Sequence, residues 1–152
     1  MSIQQKRATF SVSFFCYALA GFFCFATTAY SRRASQQAQG EVERGKYLVE
    51  EVAKCQECHT PRDDQGNLDV HAWMQGAPIW IMPARHIYNW ADRAPALAGL
   101  PSFTDIEMER VLEKGVGPQG ETLRPPMHIY HMNSDDAKAI IAYLKSLPIL
   151  KH

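Results

Sequence analysis

Five consecutive residues, Cys55-Gln-Glu-Cys58-His59, restrict this chain more than any other feature. Residues three apart share one face of a helical turn, so the two thiols point the same way and the imidazole follows at once. That is the spacing of a c-type haem attachment site. Two thiols so placed reach the two vinyl groups of a porphyrin, while the imidazole turns beneath the ring to ligate iron. A composition of four cysteines and six histidines in 152 residues would yield roughly 0.004 such motifs by chance. The expected fold is therefore one small core in which a covalent group supplies part of the filling.

The other two cysteines stand apart from this motif. Cys16 and Cys24 lie in a charge-free run of twenty-one residues from Phe10 to Tyr30, flanked by Lys6 and Arg7 before it and Arg32 and Arg33 after it. About 20 apolar residues can span a bilayer as a helix, and small residues at Cys24 and Ala26, or at Thr27 and Ala29, suit a signal-peptide processing site. Residues 1–30 thus read as a signal peptide or a membrane anchor, and either places the rest of the chain beyond the membrane. Cys16 and Cys24 read as apolar filler. The polar stretch 31–40 reads as a linker, and the domain as 41–152.

Charge follows the same division. Sixteen Lys and Arg balance sixteen Asp and Glu overall, yet after residue 40 there are twelve basic and sixteen acidic residues, 12 − 16 = −4. A mildly acidic domain lacks the positive excess of a nucleic-acid surface, and its composition excludes a disordered chain.

Within the domain, Val42, Leu48, Val49 and Val52 recur at mostly helical spacings and predict a first helix over 41–54. Gly45 interrupts it, at a cost of up to about 1 kcal/mol against alanine, which points to a backbone passing close by. Residues 60–101 are rich in proline and hold all three tryptophans, so they predict a wrapping segment whose Trp73, Trp80, Tyr88 and Trp90 cover either a cofactor or the protein core. A capping box from Thr104 to Glu107 opens a helix over 105–115, ending at Gly115 or Gly117. A last helix over 135–147 is expected to be capped by Ser134 and stopped by Pro148, with Ile140, Ile141, Tyr143, Leu144 and Leu147 on its apolar face. No strand longer than a few residues is expected, so the fold class is all-α.

Three rival chemistries use the same residues. A dithiol redox site needs a βαβ setting that is not visible before Cys55. Zinc needs a second pair, and His128-x-x-His131 is tighter than the usual spacing. A Cys55–Cys58 disulfide is the third. With haem, the second axial ligand decides the function, because a carrier fills both axial positions whereas a catalyst or gas sensor leaves one open. Downstream candidates are Met74, Met82, Met108, Met127 and Met132, with His71, His86, His128, His131 and His152. Met127 is preferred: Arg124-Pro125-Pro126 holds the chain extended before it, and a soft thioether favours reduced iron. Met82, followed by Pro83, and Met132 are its competitors.

The sequence resembles class I cytochromes c, specifically small bacterial monohaem domains. The resemblance runs through Arg44-Gly45-Lys-Tyr47-Leu48, Cys55-Gln-Glu-Cys58-His59-Thr-Pro61, Ala94-Pro95-Ala-Leu97-Ala-Gly99-Leu100, Arg124-Pro-Pro-Met127 and Ile140-Ile-Ala-Tyr143-Leu144-Lys-Ser-Leu147-Pro148. It implies a helical domain wrapped around one haem c per chain, first and last helices crossing at Gly45 and Tyr143, a Pro95 carbonyl partnering His59, and Leu97 packing on the haem. It implies an electron carrier rather than an enzyme, with iron held by His59 and Met127. Redox proteins are the expected partners, with membrane anchoring open and neither nucleic acid nor a small-molecule substrate required. The expected location is the periplasm or the periplasmic face of the cytoplasmic membrane. The alternatives are a cytochrome subunit of a dehydrogenase or oxidase complex and a haem sensor or catalyst with an open iron. The family departure is residues 60–94, longer than the usual connection.

Overall fold

The computed structural model describes residues 32–150. The apolar run at 10–30, with Cys16 and Cys24, and the terminal His152 lie outside the described residues. Residues from Ala38 onward form one compact unit, and no helix among the described residues is long and apolar enough to cross a membrane.

The first helix, α1, covers residues 32–47, so it starts earlier than expected and takes in the stretch read as a linker. Alanine, arginine and glutamine there are good helix formers. It also stops being a regular helix sooner. Leu48–Val52 widens into a π turn, closed where the Ala53 N–H donates to the Leu48 carbonyl at 2.8 Å, and Lys54 then leaves in the left-handed region at φ 52°. Such a bulge re-aims the chain that follows it. A single-turn helix, α2 (Gln56–His59), starts at once.

The helix α3 (Asp105–Lys114) forms where expected. Thr104 and Glu107 close the capping box and Gly115 ends the helix at φ 66°. The last helix, α4 (Ser134–Ser146), is capped by Asn133, whose side chain accepts from the Asp136 N–H at 2.9 Å. The expected cap, Ser134, is instead its first helical residue, because asparagine fills the cap position as well as serine does and Asn133 has the extended backbone required there.

The core lies between α1, α3 and α4, with Val49, Ile140 and Leu144 almost fully enclosed. A Cβ on Gly45 would run into the Ala139 carbonyl and the Tyr143 Cβ, so the close approach inferred from the sequence is present. Beside this crossing, the Tyr143 hydroxyl donates to the Glu50 carboxylate, and Arg44 pairs with Asp136 at 3.0 Å. Burial, then the Glu50 contact, push the Tyr143 phenol well above its ordinary range.

The long segment after His59 is organised by a short antiparallel pair, β1 (Ala77–Pro78) with β2 (Arg93–Ala94). Gly76, at φ 82°, approaches the backbone of residues 94–96 too closely for any side chain. The pair gathers the two ends of the tryptophan-rich stretch, so residues 79–92 project as one loop.

Candidate functional site

The motif Cys55–His59 is fixed from three directions. Cys55 caps α2, and the His59 N–H donates to the Cys55 carbonyl at 3.0 Å. Gln56 is tied to the π turn through the Glu50 carbonyl at 2.9 Å. Glu57 is tied to the tryptophan-rich segment, since its carbonyl accepts from Trp80 Nε1 at 3.0 Å and its carboxylate pairs with Arg62 at 2.6 Å. Arg62 in turn lies over the Trp80 ring, 4.6 Å from its centre.

His59 is only 6% exposed, and burial holds its pKa below the usual histidine value against the opposing effect of its hydrogen bond to the Pro95 carbonyl. Nδ1 lies 2.8 Å from the Pro95 carbonyl, which can only accept. Nδ1 therefore carries the proton and Nε2 the lone pair, and a neutral imidazole in this tautomer has the nitrogen a metal can take. Leu97 is buried two residues further on, in the core.

Cys55 and Cys58 are not joined in a disulfide. Burial is the main cause that pushes Cys55 up to about 11, and burial, then the Glu57 charge, raises Cys58. Dithiol redox sites work in the opposite sense, by lowering a thiol pKa. No group of three His, Cys, Asp or Glu converges among the described residues, which leaves the zinc alternative without a ligand set.

The candidate sixth ligands separate by burial. Met74 and Met108 are enclosed in the core, Met132 packs against it, and Met82 is 83% exposed on the projecting loop. Met127 is partly buried and ends a turn in which its N–H donates to the Arg124 carbonyl at 3.1 Å. Three residues on, the Tyr130 hydroxyl donates to the Ala53 carbonyl at 3.1 Å. That contact returns the Met127 segment to the entrance of the cysteine motif. Burial, followed by the charges of Cys55 and Cys58, pushes the Tyr130 phenol up to about 12. His128 and His131 are exposed, His128 packing edge-on against Tyr130 with ring centres 5.0 Å apart.

Tyr130 and the Trp80–Arg62 brace were not found from the sequence, because a tyrosine in a loop carries no spacing signal. The tryptophans divide their work. Trp73 packs against the core, Trp80 braces the motif, and Trp90 keeps a buried indole N–H without an acceptor among the described residues. That unpartnered donor, the two thiols and the open Nε2 fit a group that brings carboxylates, two alkylation sites and a metal.

The cytochrome c family model matches residues 42–148. A fructose dehydrogenase cytochrome subunit from Gluconobacter japonicus is 34% identical over 112 residues, covering 69% of this chain and 22% of the relative. A diheme cytochrome c-type protein from Cereibacter sphaeroides is 32% identical over 119 residues, covering 73% and 37%. An alcohol dehydrogenase (quinone) cytochrome c subunit from Gluconobacter oxydans is 31% identical over 124 residues, covering 71% and 24%. The chain thus spans between 22% and 37% of the length of these relatives. Fold and match together define the class, a small helical cytochrome c domain. The chain belongs to the cytochrome c family, whose members hold haem c covalently.

Proposed function

We propose that this chain carries single electrons through one haem c, bonded to Cys55 and Cys58 and ligated by His59 and Met127, with Leu97 against the ring. When bound, haem c supplies an iron that changes oxidation state by one electron. The observation that carries the reading is the 2.8 Å contact of His59 Nδ1 with the Pro95 carbonyl, with Cys55 and Cys58 on the same helical turn and not paired in a disulfide. Pro95 holds the imidazole in one tautomer, the π turn and Trp80 hold the turn that presents the thiols, and the Arg124–Met127 turn presents a soft thioether. One haem per chain rests on the single C-x-x-C-H motif of the sequence.

The flanked apolar run at 10–30 supports export, and with it work in the periplasm or at the outer face of the cytoplasmic membrane, with redox proteins as partners. A second reading, a cytochrome subunit of a dehydrogenase complex, is favoured by the names of the relatives from Gluconobacter. The test is the spectrum of the protein made in a haem-attaching host. A ferrous protein that takes up stoichiometric carbon monoxide at once at neutral pH would refute closed His/Met ligation. Isolation of the native protein as a free monomer would argue against the subunit reading, and co-purification with a catalytic subunit would favour it.

A further inference from the structure

The turn that carries Met127 has two prolines at its centre, which have no N–H and cannot anchor themselves by donation. Its anchorage comes from the tryptophan-rich loop instead. Arg124 Nη2 donates to the Trp90 carbonyl at 2.9 Å and Nε to the Asn89 carbonyl at 3.2 Å. In return the Ala91 N–H donates to the Pro125 carbonyl at 2.7 Å. Successive residues of an extended strand face opposite sides, but Asn89 is left-handed at φ 64°, and its carbonyl and that of Trp90 reach one guanidinium. A planar fork of fixed donors suits such a pair of acceptors. On the loop side all three contacts use backbone atoms, so they fix where the chain lies, whichever side chains the loop carries. At the base of the loop, the Ile79 N–H donates to the Asp92 carbonyl at 2.8 Å and joins its two ends, next to the pairing of β1 with β2.

We propose that the tryptophan-rich loop is a clamp on the sixth-ligand turn, and that Arg124 is the positioning residue that sets where the Met127 thioether sits. This rests on the assignment of Met127 as the ligand. A clamped thioether resists replacement by an external ligand, because the turn must move before the sulfur can leave. The probe is imidazole, titrated into the ferric holoprotein while the methionine-to-iron charge-transfer band is followed, with the thermal unfolding midpoint measured alongside.

Arg124→Ala is expected to tighten imidazole binding about tenfold, the net worth of one or two lost hydrogen bonds, at temperatures well below unfolding. Arg124→Lys keeps the charge without the fork and is expected to fall between the two, about threefold. Arg85→Ala, in an exposed arginine of the same loop, is expected to bind imidazole as the native protein does. Native imidazole affinity in Arg124→Ala, in a protein where Met127→Ala abolishes the band, overturns the clamp and leaves the ligand assignment intact. A band that survives Met127→Ala overturns the ligand assignment and the clamp with it. Should Arg124→Ala fail to accumulate, Arg124→Lys decides alone: native affinity there overturns the clamp.

Discussion

The two sides of the candidate haem site are built by different means. On the histidine side, His59 is held by a helical turn, a single proline carbonyl and a core packed between helices. On the methionine side, Met127 sits on a proline-bound turn whose tethers run to a distant loop. Regular structure holds the first proposed ligand, and a few hydrogen bonds between irregular segments hold the second. The histidine side should therefore fail all at once, and the methionine side by degrees.

The largest effect should come from the attachment motif. Cys58→Ala is expected to lose the two-thioether haem spectrum, read from the alkaline pyridine adduct, and a native adduct spectrum would break the proposed attachment. Met127→Ala should keep the haem, lose the methionine band and bind carbon monoxide readily in the ferrous state. Gly45→Val attacks the helix crossing, where the added atoms meet the Ala139 backbone, and should cost about 3 kcal/mol or more in denaturant unfolding of the holoprotein. Thr104→Ala removes one cap, at about 1 kcal/mol.

The smallest effect is a slope with pH. Tyr143 is raised by burial and by Glu50, so above the ordinary tyrosine range of about 10 the unfolded chain loses a proton that the folded protein keeps. Folding then binds more protons, and stability falls as pH rises. Tyr143→Phe should flatten that fall in urea midpoints measured on either side of the range, and an unchanged slope would remove Tyr143 from the account.

The same contrast explains what the sequence made legible. The cap at Thr104 and the close approach at Gly45 follow from local chemistry, and both have their expected geometry; the contact of His59 with the Pro95 carbonyl was implied only by the family resemblance. The cap of α4 was displaced by one residue because Asn133 and Ser134 are equally suited to it. The early start of α1 was missed because a polar stretch of good helix formers shows no apolar period. Arg124 is a visible letter, but its acceptors are the carbonyls of Asn89 and Trp90, and Ala91 contributes its backbone N–H, groups that every such residue carries, so no letter of the sequence marks the loop side of these contacts. Tyr130 is similar: its contact with Ala53 spans most of the domain.

The π turn at Leu48–Val52 makes residue count itself a determinant. A helix advances about 100° per residue, so the widened turn is a phase shift inserted between the crossing at Gly45 and the thiols. Deleting one residue there would restore regular helical spacing as far as Ala53 and swing the chain that follows, Cys55 included, roughly a quarter-turn or more around the axis. The helices could still pack on Gly45, and the motif would remain intact as letters, yet it would face another direction. The distance from crossing to motif is thus read in angle as well as in length.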